Sequence, residues 1–177
     1  MNKAMSKVDN KLLKQIKTLS YTEGSFTTRA GKKTTFYIDK YLFTSVPSVL
    51  APLSKAILSN LPHPSHYDRL MAPAMGAISL ATPLAVITQK PLLIYEKEEE
   101  KTNIYGPYFP GERILVIEDV LTTGSTVLDL CDHVKKIPLD VIHIISVIDR
   151  QEGAHETLHQ QGYSSSSLIT AQDLHDC

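Results

Sequence analysis

The chain has only two cysteines, Cys131 and Cys177, in 177 residues. They lie far apart, so no disulfide framework is expected, and a reducing, cytoplasmic setting is the default. An excess of charge of one sign is also missing: 18 Lys and Arg stand against 19 Asp and Glu, a formal net charge of −1. That balance argues against bulk nucleic-acid binding and against an electrostatic membrane anchor. No apolar run approaches the roughly 20 residues needed to span a bilayer. Residues 1–20 are Lys-rich and polar, without the apolar stretch of a secretory signal. Two well-known phosphate loops, G-x-x-x-x-G-K-[ST] and a G-x-G-x-x-G following a strand, are absent. No internal repeat is visible.

What is present reads as one domain, 1–177, long enough for a real core. Residues 11–19 carry apolar side chains at helical spacing, and 46–61 form a second helix candidate with Pro47 near its start and Pro62 as stop. Between them, 26–39 reads as two short strands around a basic turn at 30–33. Further on, 70–73, 91–95, 114–120 and 141–148 are apolar enough for buried strands. Helical stretches separate them at 77–88 and 127–136, with a short helix at 155–161 and a polar loop at 164–167. Strands alternating with helices predict an α/β fold with a parallel sheet. Residues 1–45 would form a small N-terminal flap, a helix plus a strand pair, on an α/β core spanning 46–177.

The most informative stretch is Arg113-Ile-Leu-Val-Ile-Glu-Asp-Val-Leu-Thr-Thr-Gly-Ser-Thr126. Four apolar residues in a row suit a strand buried on both faces, and ligands of such sheets bind beyond the strands' carboxyl ends. Glu118 and Asp119 stand at that end. Neighbouring strand residues point opposite ways, so the two acids should do different jobs. Free N–H groups at the start of the following helix attract anions. Gly124 permits close approach, and Thr122, Thr123, Ser125 and Thr126 add hydroxyl donors. A bland alternative is an ordinary strand–turn–helix with Ser125 or Thr126 as N-cap. Against it stand the adjacent acids, which are costly at a buried strand end unless something pairs with them.

This stretch resembles the phosphoribosyl-pyrophosphate (PRPP) motif of the type I phosphoribosyltransferases. Three further segments resemble the orotate phosphoribosyltransferase branch of that family: Ser25-Phe-Thr-Thr-Arg-Ala-Gly-Lys-Lys-Thr-Thr-Phe-Tyr-Ile-Asp39, Ala72-Pro-Ala-Met-Gly-Ala-Ile-Ser-Leu-Ala81 and Ile148-Asp-Arg-Gln-Glu-Gly153. The resemblance implies the type I phosphoribosyltransferase fold and transfer of phosphoribosyl from PRPP to orotate, giving orotidine 5′-monophosphate and pyrophosphate. It also implies a homodimer, and Mg²⁺ carried mainly by PRPP rather than by protein ligands. Glu118 and Asp119 would hold the ribose hydroxyls. Thr122, Thr123, Gly124, Ser125 and Thr126 would wrap the 5′-phosphate, Val120 and Leu121 would also contact PRPP, and Met75 and Gly76 would line the pyrophosphate loop. Arg29, Lys97 and Lys101 are the cations for pyrophosphate, with Lys97, Lys101 and Asp119 the catalytic set. Arg150 would bind the orotate carboxylate, for which a planar fork is suited. Thr122 joins the orotate contacts, and Tyr37 and Ile38 would sandwich the flat ring.

Departures from the family pattern fall on its lid, Arg-Lys-x-x-Lys-x-His-Gly. Here the stretch is Glu96-Lys-Glu-Glu-Glu-Lys-Thr-Asn-Ile-Tyr-Gly106: Glu96 replaces an Arg, the His has no counterpart and the lid is short. Two other functions therefore stay open, a PRPP- or nucleotide-binding regulatory member with weak catalysis and a transferase for another base. Ordinary readings compete at single residues, a salt bridge to Asp149 or Glu152 for Arg150 and a solvated surface for Lys97 and Lys101. His155-Glu-Thr-Leu-His159 matches the H-E-x-x-H zinc signature, but the extended motif's third His is Ser165 and no Met-turn follows. A solvated helix is the simpler reading there.

Overall fold

A computed structural model describes residues 8–27, 31, 33–98 and 101–177. Helix α1 (Asn10–Ser20) leads into a two-stranded antiparallel sheet, β1 (Tyr21–Thr27) and β2 (Lys33–Ile38). Two helices follow, α2 (Lys40–Ser45) and α3 (Pro47–Asn60). Then come β3 (Arg69–Pro73), α4 (Gly76–Thr88), β4 (Leu92–Lys97), β5 (Thr102–Tyr105), β6 (Glu112–Leu121) and α5 (Ser125–Val134). The chain continues through β7 (Leu139–Asp149), α6 (Ala154–Gln160), β8 (Ser165–Thr170) and α7 (Ala171–Asp176).

The main sheet has the order β5-β4-β3-β6-β7-β8. It is parallel throughout, except that β5 runs antiparallel to β4. Strand alternation divides the apolar residues of β6 between two cores. Leu115 and Ile117 join Ile16, Phe43, Leu53, Leu80 and Leu174 on one face, and Ile114 and Val116 join Met71, Leu130 and Leu158 on the other. Helices cover both faces, as a parallel sheet requires. Within the N-terminal helix and strand pair, Ile16 of α1 is buried completely in the first core, as is Phe43 of α2 after it. Among the described residues the β1–β2 pair forms a separate two-stranded sheet.

Two expectations need correction. Residues 164–167 are not a loop, because Ser165, Ser166 and Ser167 pair with Ile144, Ile145 and Ser146 in β8. Their hydroxyls are satisfied by imidazoles: Ser164 and Ser166 by His143 at 2.9 and 2.8 Å, Ser165 and Ser167 by His155 at 2.6 and 2.9 Å. Thr102–Tyr105, not expected as a strand after the charge run, form β5 against β4: Lys97 pairs with Thr102, and the Glu98 N–H donates to the Lys101 carbonyl at 2.8 Å.

The chain goes from β3 outward to β4, then returns to β6 on the other side of β3. At such a switch point the two outgoing loops diverge and leave a crevice beyond the strands' carboxyl ends.

Candidate active site

The crevice lies between the loop after β3 and the loop after β6. Strand β6 delivers two acids there that are almost without solvent contact, Glu118 at 5% exposed and Asp119 at 1%. They differ, as alternation predicts. Burial, and then the charge of Asp119, pushes the Glu118 carboxyl well above the usual carboxylate range, and its Oε1 accepts the Asp119 N–H at 2.8 Å. Asp119 is ion-paired: the Lys40 ammonium lies 3.0 Å from Oδ2 and 3.3 Å from Oδ1, and Oδ1 also accepts the Val120 N–H at 2.6 Å. Oδ2 has a charge beside it but no aligned hydrogen bond. For Lys40, burial lowers the pKa, but Asp119 and Glu118 outweigh it and the net shift is upward.

Lys40 was not singled out from the sequence. It begins α2, directly after Asp39, whose side chain caps that helix by accepting the Tyr41 N–H at 3.0 Å. Asp39-Lys40 after an aromatic pair is a helix-start signal, but its pairing with a residue 79 positions away is set by tertiary structure alone.

The loop after β3 brings Gly76 against these groups. A Cβ at that position would lie 1.8 Å from Asp119 Oδ2 and 3.0 Å from Lys40 Cε. Glycine is required there by close approach, not by its backbone angles. Met75, joined to Ala74 by a cis peptide bond, is 68% exposed at the start of α4.

After β6 the chain turns through Thr122 and Thr123 to Gly124, which precedes α5 at φ +81° with its missing Cβ 3.5 Å from Ala154. The N-cap is therefore Gly124, not Ser125 or Thr126, and no side chain caps the helix. Its first-turn amides keep their donors for a ligand. Thr123, Ser125 and Thr126 are exposed around them, and Val120 and Thr122 are partly so.

Arg150 comes to the same end of the sheet. Its backbone N–H donates to the Leu121 carbonyl at 2.8 Å, the last residue of β6 before the Thr/Gly loop. The side chain is 12% exposed. Its Nη2 lies 3.1 Å from Glu152 Oε1, which is the salt bridge weighed as the ordinary reading. That bridge does not exhaust the group, because Nε is buried with no hydrogen-bond partner among the described residues.

The remaining candidates fall in different places. Lys97, at the end of β4, is exposed and paired with Asp129 of α5, so the hairpin is tied to the helix that follows the Thr/Gly loop. Lys101 is exposed at the hairpin tip. Arg29 lies outside the described residues. Tyr37 and Ile38 do not sandwich one ring: Ile38 is buried in the core, whereas Tyr37 is 49% exposed and packs on Phe26. Successive strand residues cannot face the same space. It is Phe36, on the face of Ile38, that meets Arg150, with the Arg150 Cζ 5.0 Å from its ring centre. In the His155–His159 helix, both ring nitrogens of His155 are engaged by serines, and among the described residues no three His, Cys, Asp or Glu are grouped to hold a metal.

Comparison with known proteins bears on this arrangement. Residues 48–161 match the phosphoribosyl transferase domain. The orotate phosphoribosyltransferase of Pyrococcus abyssi is 34% identical over 156 residues, 85% of this chain and 86% of the relative. That of Methanococcus maripaludis is 31% identical over 169 residues, covering 93% and 90%. Among solved structures, orotate phosphoribosyltransferase from Aeropyrum pernix superposes with a TM-score of 0.86 at 23% identity, over 93% of this chain and 96% of that one.

Proposed function

This chain belongs to the orotate phosphoribosyltransferase family, and from that premise we propose that it transfers phosphoribosyl from PRPP to orotate, yielding orotidine 5′-monophosphate and pyrophosphate. The observation that carries the reading is the 2.8 Å bond from the Arg150 N–H to the Leu121 carbonyl. It brings the Arg150 backbone to the end of β6 where the Thr/Gly loop begins, just after Glu118 and Asp119, with Gly76 against Asp119. That neighbourhood supports a site for a 5′-phosphate, ribose hydroxyls and an acidic base.

In this reading the amides and hydroxyls of 122–126 hold the 5′-phosphate. Asp119, ion-paired with Lys40, accepts from the ribose hydroxyls, and Glu118, its carboxyl raised by burial, stands beside it. Met75 and Gly76 border the pyrophosphate, Arg150 takes the orotate carboxylate, and Thr122 borders the base. The bond from the anomeric carbon to pyrophosphate breaks as the bond to the base nitrogen forms, and catalysis consists of alignment and charge neutralisation. In this reading Lys97 and Lys101 supply cations to the leaving group, Lys97 by exchanging its partner Asp129. Mg²⁺ would enter mainly with PRPP, since that ion is held chiefly by substrate phosphates and needs few protein ligands, and it would supply positive charge to the pyrophosphate. We further propose a single domain acting as a homodimer in the cytoplasm; among the described residues, no helix is long and apolar enough to cross a membrane.

A second reading, a PRPP-binding regulator with weak catalysis, draws on the hairpin, where Lys97 is already paired with Asp129. One assay separates the two. The protein is mixed with Mg²⁺, PRPP and orotate, and orotate loss and pyrophosphate release are followed together. Equal rates of both are expected. PRPP binding without turnover would leave only the regulatory reading.

A further inference from the structure

The candidate acceptor arginine is held by residues outside its own motif. The Arg150 guanidinium lies over the Phe36 ring, 5.0 Å from its centre. Behind Phe36, Tyr21 stacks nearly parallel, with centroids 5.3 Å apart and planes 16° apart. Glu152 holds Nη2 at 3.1 Å, and Nε is buried without a partner among the described residues. The guanidinium is thus covered on one face by an aromatic ring, tethered at one nitrogen, and left with an open donor. Phe36 and Tyr21 belong to β2 and β1, the small sheet that stands apart from the main one.

A guanidinium reads a carboxylate well only while its plane is fixed, since two parallel hydrogen bonds demand one orientation. An aromatic face supplies that restraint and attracts the cation as well. Glu152 alone would hold one nitrogen and leave the plane free to turn about that contact. We propose that Phe36, backed by Tyr21, is the positioning residue that fixes the Arg150 fork and thereby sets the preference for an acceptor bearing a carboxylate. This rests on Arg150 being the acceptor's partner, as read above. Tyr37, although next in sequence, does not contribute, because it faces Phe26 on the opposite side of β2.

The test compares two nucleotides that differ only by the carboxylate: orotidine 5′-monophosphate and uridine 5′-monophosphate. Their dissociation constants are measured by calorimetry on the full chain and on Phe36→Leu, Phe36→Tyr and Tyr21→Leu. The preference for the carboxylated nucleotide should fall about tenfold in Phe36→Leu, the size of a desolvated cation–π contact. Uridine monophosphate binding should stay within about twofold of wild type, because Phe36 is assigned no contact with the phosphate or ribose sites. Phe36→Tyr should keep the wild-type preference. Tyr21→Leu should lower it by less, and it decides the matter if Phe36→Leu does not fold. An unchanged preference in the Leu variants, or equal loss of both nucleotides, overturns the proposal. Wild-type turnover of orotate is assayed separately; its absence would sink the transferase reading, while the binding ratio still judges Phe36.

Discussion

The two ends of strand β6 treat charge in opposite ways. At its amino end, Glu112 receives both Nε and Nη2 of Arg69, and beside it Arg113 makes the same two-pronged contact with Asp68. Both Glu112 and Asp68 have a guanidinium closed onto them. At the carboxyl end, among the described residues, Glu118 has no cation bonded to it and Asp119 pairs with one lysine. The helix α5 begins there without a side-chain cap; a lone guanidinium nitrogen does not separate the ends, since among the described residues Arg69 Nη1 lacks a hydrogen-bond partner as Arg150 Nε does. A protein stabilises itself by closing such groups, as at the first end. Leaving them open in a crevice costs stability and makes sense where a ligand completes them.

The largest effect should come from closing the open end artificially. In Gly76→Val, a branched side chain enters space where even a Cβ lies 1.8 Å from Asp119 Oδ2. Asp119 must then shift, and turnover should drop by about a hundredfold, the usual result of an ångström-scale misplacement. Steady-state kinetics with PRPP varied would check this. Wild-type kcat/KM in a folded Gly76→Val would show that Asp119 is not held for the ribose.

Next in size is Arg150→Ala. The contact is charge-assisted and worth about 1.5–3 kcal/mol, so orotate affinity should weaken roughly ten- to a hundredfold. PRPP affinity should stay near wild type, because the anion site of α5 does not use the guanidinium. Retained orotate affinity would return Arg150 to the amino end's category, a cation closed onto its own Glu152.

How much of this contrast could be read beforehand follows from where each signal resides. The buried strand, the acid pair, the Thr/Gly loop and Arg150 are contiguous in sequence, and their periodicity and residue types carry their meaning. The parallel sheet followed from strands alternating with helices. Strand β8 was lost because four consecutive serines read as loop; its identity comes from pairing with β7 and from imidazoles donated by distant segments. Strand β5 was hidden behind a charge run. Lys40 and Phe36 were missed for a similar reason. Nothing local distinguishes Phe36 from Tyr37 until the strand's face is known, and Lys40 acquires its role only when α2 packs beside β6. Sequence order exposes local motifs; it does not expose what two separate motifs do to each other.

The smallest effects should appear in stability against pH, and the two ends should give opposite signs. Hydrogen bonds from Arg113 hold the Asp68 carboxyl down at about 2, below its ordinary value of 3.8. Its contribution is therefore complete above pH 3.8 and is lost as pH falls through about 2. Asp68 is about a third exposed, so solvent screening leaves roughly 1 kcal/mol or less. Asp68→Asn should lower stability slightly at pH 7 and flatten the acid limb. Glu118 runs the other way. Burial lifts its carboxyl well above 4.5, so the protonated form is the stable one. Its contribution is complete below pH 4.5 and is lost as pH rises toward the folded value. Glu118→Gln, neutral at every pH, should match wild type near pH 4 and unfold at a higher temperature at pH 8. Thermal unfolding of both variants across pH 3–8 measures the contrast. Parallel slopes for the two would mean that the carboxyl end closes its charges as the amino end does.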